Sequence, residues 1–194
     1  MFFSTFIGLF FLLTPFFVLS SFLALTQGYT SAQRRRLALE VALGTMAVGI
    51  TLFLLGNHIF ALFGINLHSF RMGTGILLML SAINLVQGGS TAPLKGIDRE
   101  AISIVPLAIP ITVGPATVGY LLVLSSEQTA PAEAALTLGA FALAACAVGT
   151  LLFISSWIER VLGRSGITIL SKITGLILSA LAAQMFMQGF TQFL

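Results

Sequence analysis

Charged residues are scarce in this sequence. Of its 194 residues, 8 % are Asp, Glu, Lys or Arg, whereas 57 % are hydrophobic. Soluble domains are about 25 % charged, and so few charges cannot supply the polar surface that a soluble protein of this length needs. The composition therefore predicts a chain that lies in a lipid bilayer.

Cysteine and histidine are almost absent as well. The single cysteine, Cys146, excludes an intrachain disulfide, a multi-cysteine zinc site and a thiol redox pair. The two histidines, His58 and His68, have no nearby acid with which to form a metal site or an intramembrane hydrolase. The basic residues fall in short clusters between apolar runs, which is not typical of nucleic-acid binding. We therefore expect no enzyme, no cofactor, no metal and no nucleic-acid partner.

Long apolar runs separate the charges, and each is long enough for the roughly 20 residues of a membrane-spanning helix. The first run is not expected to be a cleaved signal peptide, because it lacks a basic start and a small-x-small cleavage site. The sequence predicts an all-α integral membrane protein with six transmembrane helices, at about 4–26, 38–62, 70–89, 102–124, 132–157 and 171–191.

The basic residues predict the orientation, since Lys and Arg concentrate in cytoplasmic loops. Eight of the nine fall in the first, third and fifth connections, namely Arg34, Arg35, Arg36, Lys95, Arg99, Arg160, Arg164 and Lys172. The opposite side has Arg71, for which we expect the side chain to snorkel to the headgroups. The prediction is a multi-pass protein of the cytoplasmic (inner) membrane with both termini outside.

The chain also repeats itself at a spacing of 100 residues. Pro15 matches Pro115, Thr74-Gly75 matches Thr174-Gly175, and Ala47-Val48-Gly49 matches Ala147-Val148-Gly149. Apolar helices can look alike by composition alone, but a shared proline and a shared Thr-Gly pair favour a true repeat. We predict two three-helix repeats, residues 1–97 and 98–194. The odd number of helices gives the second repeat the inverted topology common in secondary transporters.

Prolines interrupt two of the predicted helices near the middle of the membrane. Pro15 interrupts the first, and Pro106, Pro110 and Pro115 interrupt the fourth. A proline leaves backbone groups unpaired, which in hydrocarbon costs several kcal/mol unless protein or cavity water pairs them. Freed N–H groups attract carboxylates and freed carbonyls attract cations. A packing kink is the alternative for Pro15, whereas the proline cluster favours a binding site.

The stretch from Ile104 to Pro115 resembles the "PLAIP…GP" signature of the MarC family, six-helix inner-membrane proteins also called the neutral amino acid transporter family. Phe70-Arg71-Met72-Gly73-Thr74-Gly75 and the closing Gly175-Leu176-Ile177-Leu178 extend the resemblance over essentially the whole chain. Helix 1 departs from the family, which usually has Asn-Pro where this chain has Thr14-Pro15. The resemblance implies transport of small neutral amino acids such as glycine and alanine, ion-driven in some members.

We predict a substrate site between broken helices 1 and 4, walled by helices 3 and 6. A zwitterion needs an anion site and a cation site, and broken helix ends can supply both without buried ionised side chains. The predicted substrate-binding residues are Thr14, Pro15, Ser20, Ser21, Pro110, Thr112, Gly114, Pro115, Thr117, Asn84 and Gln184. For the two amides, hydrogen bonding between helices is an alternative role. Thr74, Gly75, Thr174 and Gly175 are expected to pack closely against helices 1 and 4.

The resulting prediction is a secondary transporter that carries a small neutral amino acid by alternating access, with a proton or a sodium ion as coupling ion. An exporter of another small metabolite, a channel and a non-transporting membrane scaffold are the alternatives. The scaffold is less favoured, because a scaffold gains nothing from unpaired backbone groups. The chain is expected to contact the lipid bilayer, and the sequence does not decide whether it forms a homo-oligomer.

Overall fold

A computed structural model describes residues 2–88, 112–128 and 130–193 of the chain. These residues form helices and connections without a strand, so the protein is an all-α membrane protein. The predicted site residue Pro110, the neighbouring Pro106, the third connection and the boundary between the repeats lie outside the described residues. The helices are α1 (Phe2–Leu12), α2 (Pro15–Leu25), α3 (Ser31–Phe63), α4 (Leu67–Gln87), α5 (Pro115–Glu127), α6 (Pro131–Phe153) and α7 (Ser155–Phe193).

Five of the described segments are long and apolar enough to cross a bilayer. They are Phe2–Leu25, Ser31–Gly56, Leu67–Gln87, Pro131–Phe153 and Ser155–Gln192. The fourth predicted span is represented among the described residues by its second half, α5. The protein is therefore an integral, multi-pass membrane protein. The arrangement as two inverted repeats stays a prediction, since the start of the second repeat is outside the described ranges.

Local sequence signals account for the ends of α3 and α4. At the start of α3, the Thr30 hydroxyl accepts the backbone N–H of Gln33, and the Gln33 side chain accepts the N–H of Thr30. This capping box pairs two N–H groups that the first turn leaves free. Asn66 caps α4 by accepting the N–H groups of His68 and Ser69. Gly64 ends α3 at φ 60°, a left-handed conformation that glycine adopts without strain.

The fifth predicted connection is helical, which corrects the prediction of a loop between about 157 and 171. Helix α7 runs from Ser155 to Phe193, with one break at Gly163, where φ is 67° and ψ is 171°. The basic residues of this connection extend a helix, because a polar face can be solvated without interrupting the hydrogen bonds of the backbone. Arg34 at the start of α3 donates a hydrogen bond of 3.0 Å to Ser156. The first and fifth connections thus lie at the same end of the bundle.

The first predicted span lies at the centre of the fold. Leu13, Val18, Leu19 and Phe22 of this span have no exposed surface. By contrast, many large apolar side chains on other helices face outward, including Leu43, Leu62, Leu54, Ile169 and Leu176. A large apolar outer surface is unfavourable in water but is what lipid tails solvate.

Helices α4 and α7 approach each other through a reciprocal pair of glycines. A Cβ atom on Gly75 would lie 3.0 Å from the Ala182 carbonyl oxygen, and one on Gly175 would lie 2.9 Å from the Ala82 carbonyl oxygen. Small residues allow such close backbone approach in membrane helices. Residue 75 therefore contacts 182 as residue 175 contacts 82, which is the exchange that a repeat of 100 residues predicts.

Candidate functional site

The break in the first span is formed at Thr14. Helix α1 ends at Leu12 and α2 begins at Pro15, while Thr14 between them has φ 47° and ψ 55°. Among the described residues, Thr14 is the one non-glycine residue with positive φ. This left-handed conformation costs an L-residue roughly 1–2 kcal/mol. Strain of this kind is concentrated at functional sites.

The second break is formed at Gly114, one repeat further along the chain. Helix α5 begins at Pro115, and Gly114 is extended, with φ −71° and ψ 172°. Neither Thr14 nor Gly114 caps its helix with a side chain. Each helix therefore starts with proline, which has no N–H, followed by two residues whose N–H groups have no acceptor within the helix. Two positively polarised helix ends thus begin at equivalent positions.

Both helix ends open into one cavity of about 200 Å³, the central cavity. Residues from α1, α2, α4, α5 and α7 surround it, so it lies between the two breaks. The predicted residues that line it are Thr14, Asn84, Thr112, Gly114, Pro115 and Thr117. The Thr117 hydroxyl points to the Leu12 carbonyl across the break at a distance of 3.4 Å. N–H groups, hydroxyls and a helix-end carbonyl therefore meet at one place.

The lining of the central cavity follows the internal repeat. Four pairs of lining residues are separated by 100 positions, namely Leu12 and Thr112, Thr14 and Gly114, Phe17 and Thr117, and Leu78 and Leu178. A cavity on an approximate two-fold axis receives equivalent residues from both halves. The sequence repeat thus maps onto the walls of the cavity.

Several predicted residues lie elsewhere. Pro15, Ser20 and Ser21 belong to α2 but do not line the central cavity, and Ser21 is buried at 4 % exposure. They turn away because successive helical residues are about 100° apart, so only one face of α2 reaches the cavity. Gln184 lines a different cavity, on the α7 face nearer the C-terminus. Its repeat equivalent Asn84 lines the central cavity.

Sequence reasoning missed Ser81, which also lines the central cavity. It lies three residues before Asn84 on α4, and residues at that spacing share a helix face. The spacing of three residues from Asn84 is the sequence feature that could have indicated Ser81 as a lining residue. The apolar lining residues Leu12, Phe17 and Leu178 carried no signal, because membrane helices contain similar residues on every face.

The packing residues have partners other than those expected. Gly75 and Gly175 join α4 and α7, rather than approaching the first and fourth spans. A glycine in the sequence indicates a close approach between helices, but the tertiary fold decides which helix is the neighbour. Thr74 does contact the fourth span, since a Cβ atom on Gly119 of α5 would lie 2.6 Å from the Thr74 hydroxyl. Thr174 is buried and donates to the Leu170 carbonyl of its own helix at 3.0 Å.

The expectation that Arg71 snorkels to the headgroups is wrong. Its exposed fraction is 5 %, and its guanidinium forms an ion pair with Glu127 of α5. It also donates a hydrogen bond of 2.7 Å to the Gln192 side chain of α7. Acceptors on two neighbouring helices partly compensate the loss of hydration. The guanidinium is therefore buried between the helices and does not extend to the headgroups. By contrast, Arg36 and Glu40, one turn apart on α3, form an ion pair of 3.0 Å in which Arg36 is exposed.

Comparison with known proteins shows the family to which this chain belongs. Residues 1–194 match the MarC family of integral membrane proteins over the whole chain. The chain belongs to the MarC family. The predicted resemblance is therefore confirmed, and the described breaks and cavity are those of a MarC protein.

Relatives of similar length occur in bacteria and archaea. A UPF0056 membrane protein of Methanocaldococcus jannaschii is 32 % identical over 191 residues, covering 95 % of this chain and 93 % of that protein. The UPF0056 membrane protein YhcE of Escherichia coli is 32 % identical over 195 residues, covering 96 % and 90 %. The protein YvbG of Bacillus subtilis is 31 % identical over 195 residues, covering 95 % and 91 %. No solved structure matches the chain.

Proposed function

We propose that this MarC protein is a secondary transporter of small neutral amino acids, with the central cavity as its substrate site. The observation that carries the proposal is the meeting of two uncapped helix starts, at Thr14 and Gly114, in one cavity. An α-amino acid brings a carboxylate, for which free N–H groups at helix starts are suitable donors.

The same cavity offers acceptors for the ammonium group. The end of α1 lies beside the start of α2, and the last carbonyls of a helix carry partial negative charge. The Leu12 carbonyl is one of them, and the Asn84 side chain provides a further amide. Both charges of a zwitterion can then be bound by dipoles, which are less costly to bury than ionised side chains.

The size of the cavity favours a small substrate. Its volume of about 200 Å³ is below the roughly 300–1,000 Å³ typical of sites for drug-sized ligands. Glycine and alanine fit this limit, and the aliphatic walls at Leu78 and Leu178 suit a short apolar side chain. A large or strongly charged metabolite would leave its charge against these walls.

The repeat supports alternating access as the mechanism. Equivalent residues from the two halves line the cavity, so the two halves can exchange conformations and open the site to either side. Coupling to a proton or a sodium ion belongs to the proposal. A scaffold has no use for a strained residue at Thr14 beside a cavity, and this observation disfavours that alternative.

The test is counterflow in proteoliposomes made with the purified protein. Vesicles loaded with unlabelled alanine are expected to accumulate labelled alanine or glycine, and protein-free vesicles are not. Imposed sodium and pH gradients then identify the coupling ion. Inserted, monodisperse protein that exchanges neither amino acid would refute the proposed substrate class.

A further inference from the structure

A second cavity, of about 210 Å³, lies between α4, α5 and α7, three of the five helices around the central cavity, and is nearer the C-terminus. We call it the charged cavity and define it by Arg71, Tyr120, Glu127, Gln184 and Gln188. It has a cation, an anion, a phenol and two amides, whereas no ionised side chain lines the central cavity among the described residues. Its chemistry is therefore that of a site for a charged or zwitterionic ligand.

Arg71 is not fully paired within the charged cavity. It is 95 % buried, given its 5 % exposure, and it forms an ion pair with Glu127 and a hydrogen bond with Gln192. Its Nε atom is buried without a partner among the described residues. A buried donor without an acceptor destabilises the structure, more so when the group is charged. A ligand carboxylate would supply the missing acceptor.

The ion pair is not a general requirement of this packing. One repeat away, Ser171 stands where Arg71 stands and Gln27 where Glu127 stands. The Ser171 hydroxyl donates to the Ile167 carbonyl of its own helix, at 3.0 Å, and forms no ion pair or hydrogen bond with another helix in the described part of the chain. A buried ion pair is seldom more stabilising than apolar packing of similar volume. The charges therefore belong to one end of the protein, which points to a role in binding.

The two cavities are separated by the contact between Thr74 of α4 and Gly119 of α5. Thr74 lies about one helical turn from Arg71 on one side and from Leu78 on the other, and Leu78 lines the central cavity. Thr74 packs against Gly119 of α5, and neither residue is bulky. A small solute that leaves the central cavity along α4 and α5 would next meet the charged cavity.

We propose that the charged cavity is a second binding site for a zwitterionic α-amino acid. The Arg71 guanidinium holds the carboxylate and the Glu127 carboxylate holds the ammonium, so that the ligand replaces one internal ion pair by two. The net charge of the cavity is unchanged, and charge-assisted hydrogen bonds of this type are the strong ones. The amide of Gln184 contributes further donors and acceptors. The identity of the ligand rests on the proposed function.

Protection of an introduced cysteine tests the proposal. In a Cys146→Ser background, Gln188→Cys is treated with a methanethiosulfonate reagent with and without alanine. Alanine is expected to slow the modification several-fold, whereas propionate and ethylamine, which each carry one of the two charges, are not. Gln87→Cys, an exposed position at the opposite end of α4, is the matched control and keeps its rate.

The central and charged sites are separated by further substitutions. Protection of Gln188→Cys should persist when Gly114→Val blocks the central cavity, and Arg71→Gln should abolish it. Loss of protection in Gly114→Val would show that alanine acts from the central site, which overturns the second site. Counterflow without protection also overturns the second site but leaves the proposed function intact. Protection without counterflow would instead refute transport.

Discussion

Thr14 and Gly114 occupy the same position in two half-helices. The carbonyl of Thr14 accepts the N–H of Val18, and the carbonyl of Gly114 accepts the N–H of Val118, each at 3.0 Å. A proline follows each of them, and both line the central cavity. Their backbones differ, since Thr14 is left-handed and Gly114 is extended. The two halves therefore present similar helix starts in different conformations.

Gly114→Val is expected to abolish binding of glycine and alanine in the central cavity while the protein stays folded and inserted. The φ of −71° is accessible to any residue, so valine adds bulk beside the cavity without backbone strain. Binding of labelled amino acid to purified protein, followed by thermal shift, is the measurement, with Arg71→Gln present in every variant so that the charged cavity does not bind. Gly73→Val, at a position with open space around it, should bind normally. Parental affinity in Gly114→Val would place the site elsewhere.

Thr14→Asn is expected to stabilise the fold by about 1 kcal/mol, because asparagine tolerates the left-handed region better than a β-branched residue does. The midpoint of thermal unfolding in detergent should rise. Thr51→Asn is the control, since Thr51 lies exposed within α3 and its substitution relieves no strain. An unchanged midpoint for Thr14→Asn would show that the surrounding structure does not hold Thr14 in a strained state.

Gly75→Ala is expected to destabilise the contact between α4 and α7. The new Cβ would lie 2.9 Å from the Phe186 nitrogen and 3.0 Å from the Ala182 carbonyl, and backbone atoms cannot move aside easily. Overpacking of this kind costs about 1–3 kcal/mol. Gly73→Ala on the same helix meets nothing within 4 Å and should be neutral or slightly stabilising. Equal unfolding midpoints for the two variants would contradict this packing.

Arg71→Gln is expected to lower stability far more than Arg36→Gln. Arg71 has a side chain that is 6 % exposed, whereas the Arg36 side chain is 84 % exposed. Removing one member of a buried pair costs up to about 3–5 kcal/mol, less here because Glu127 is partly exposed. An exposed pair contributes about 0–1 kcal/mol. Thermal unfolding at low and high salt would check both values, and similar losses would argue against burial of Arg71.

The orientation in the membrane has its own test. With eight of nine basic residues in the first, third and fifth connections, these connections are expected to face the cytoplasm. In a Cys146→Ser background, Gly96→Cys should resist an impermeant thiol reagent applied to whole cells and react after permeabilisation. Labelling from outside would reverse the predicted topology.

The sequence was sufficient for those features that depend on local chemistry. The scarcity of charge predicts the bilayer, and the apolar run lengths predict the five spans that the described residues contain. Pro15 and Pro115 predict where a new helix begins. A proline removes a backbone hydrogen bond from its own helix, and this effect does not depend on the neighbouring helices. The resemblance in the fourth span also predicted the family, which the match over residues 1–194 confirms.

Tertiary structure decided which side chains meet. The sequence alone places Arg71 at the headgroups, because its partners Glu127 and Gln192 are distant in sequence. Only the packing of α5 and α7 against α4 brings the three residues together. For the same reason the predicted site residues of the first span divide, with Thr14 at the central cavity and Ser21 buried away from it. Composition and proline positions specify helices, but burial and ion pairing depend on which faces of those helices become neighbours.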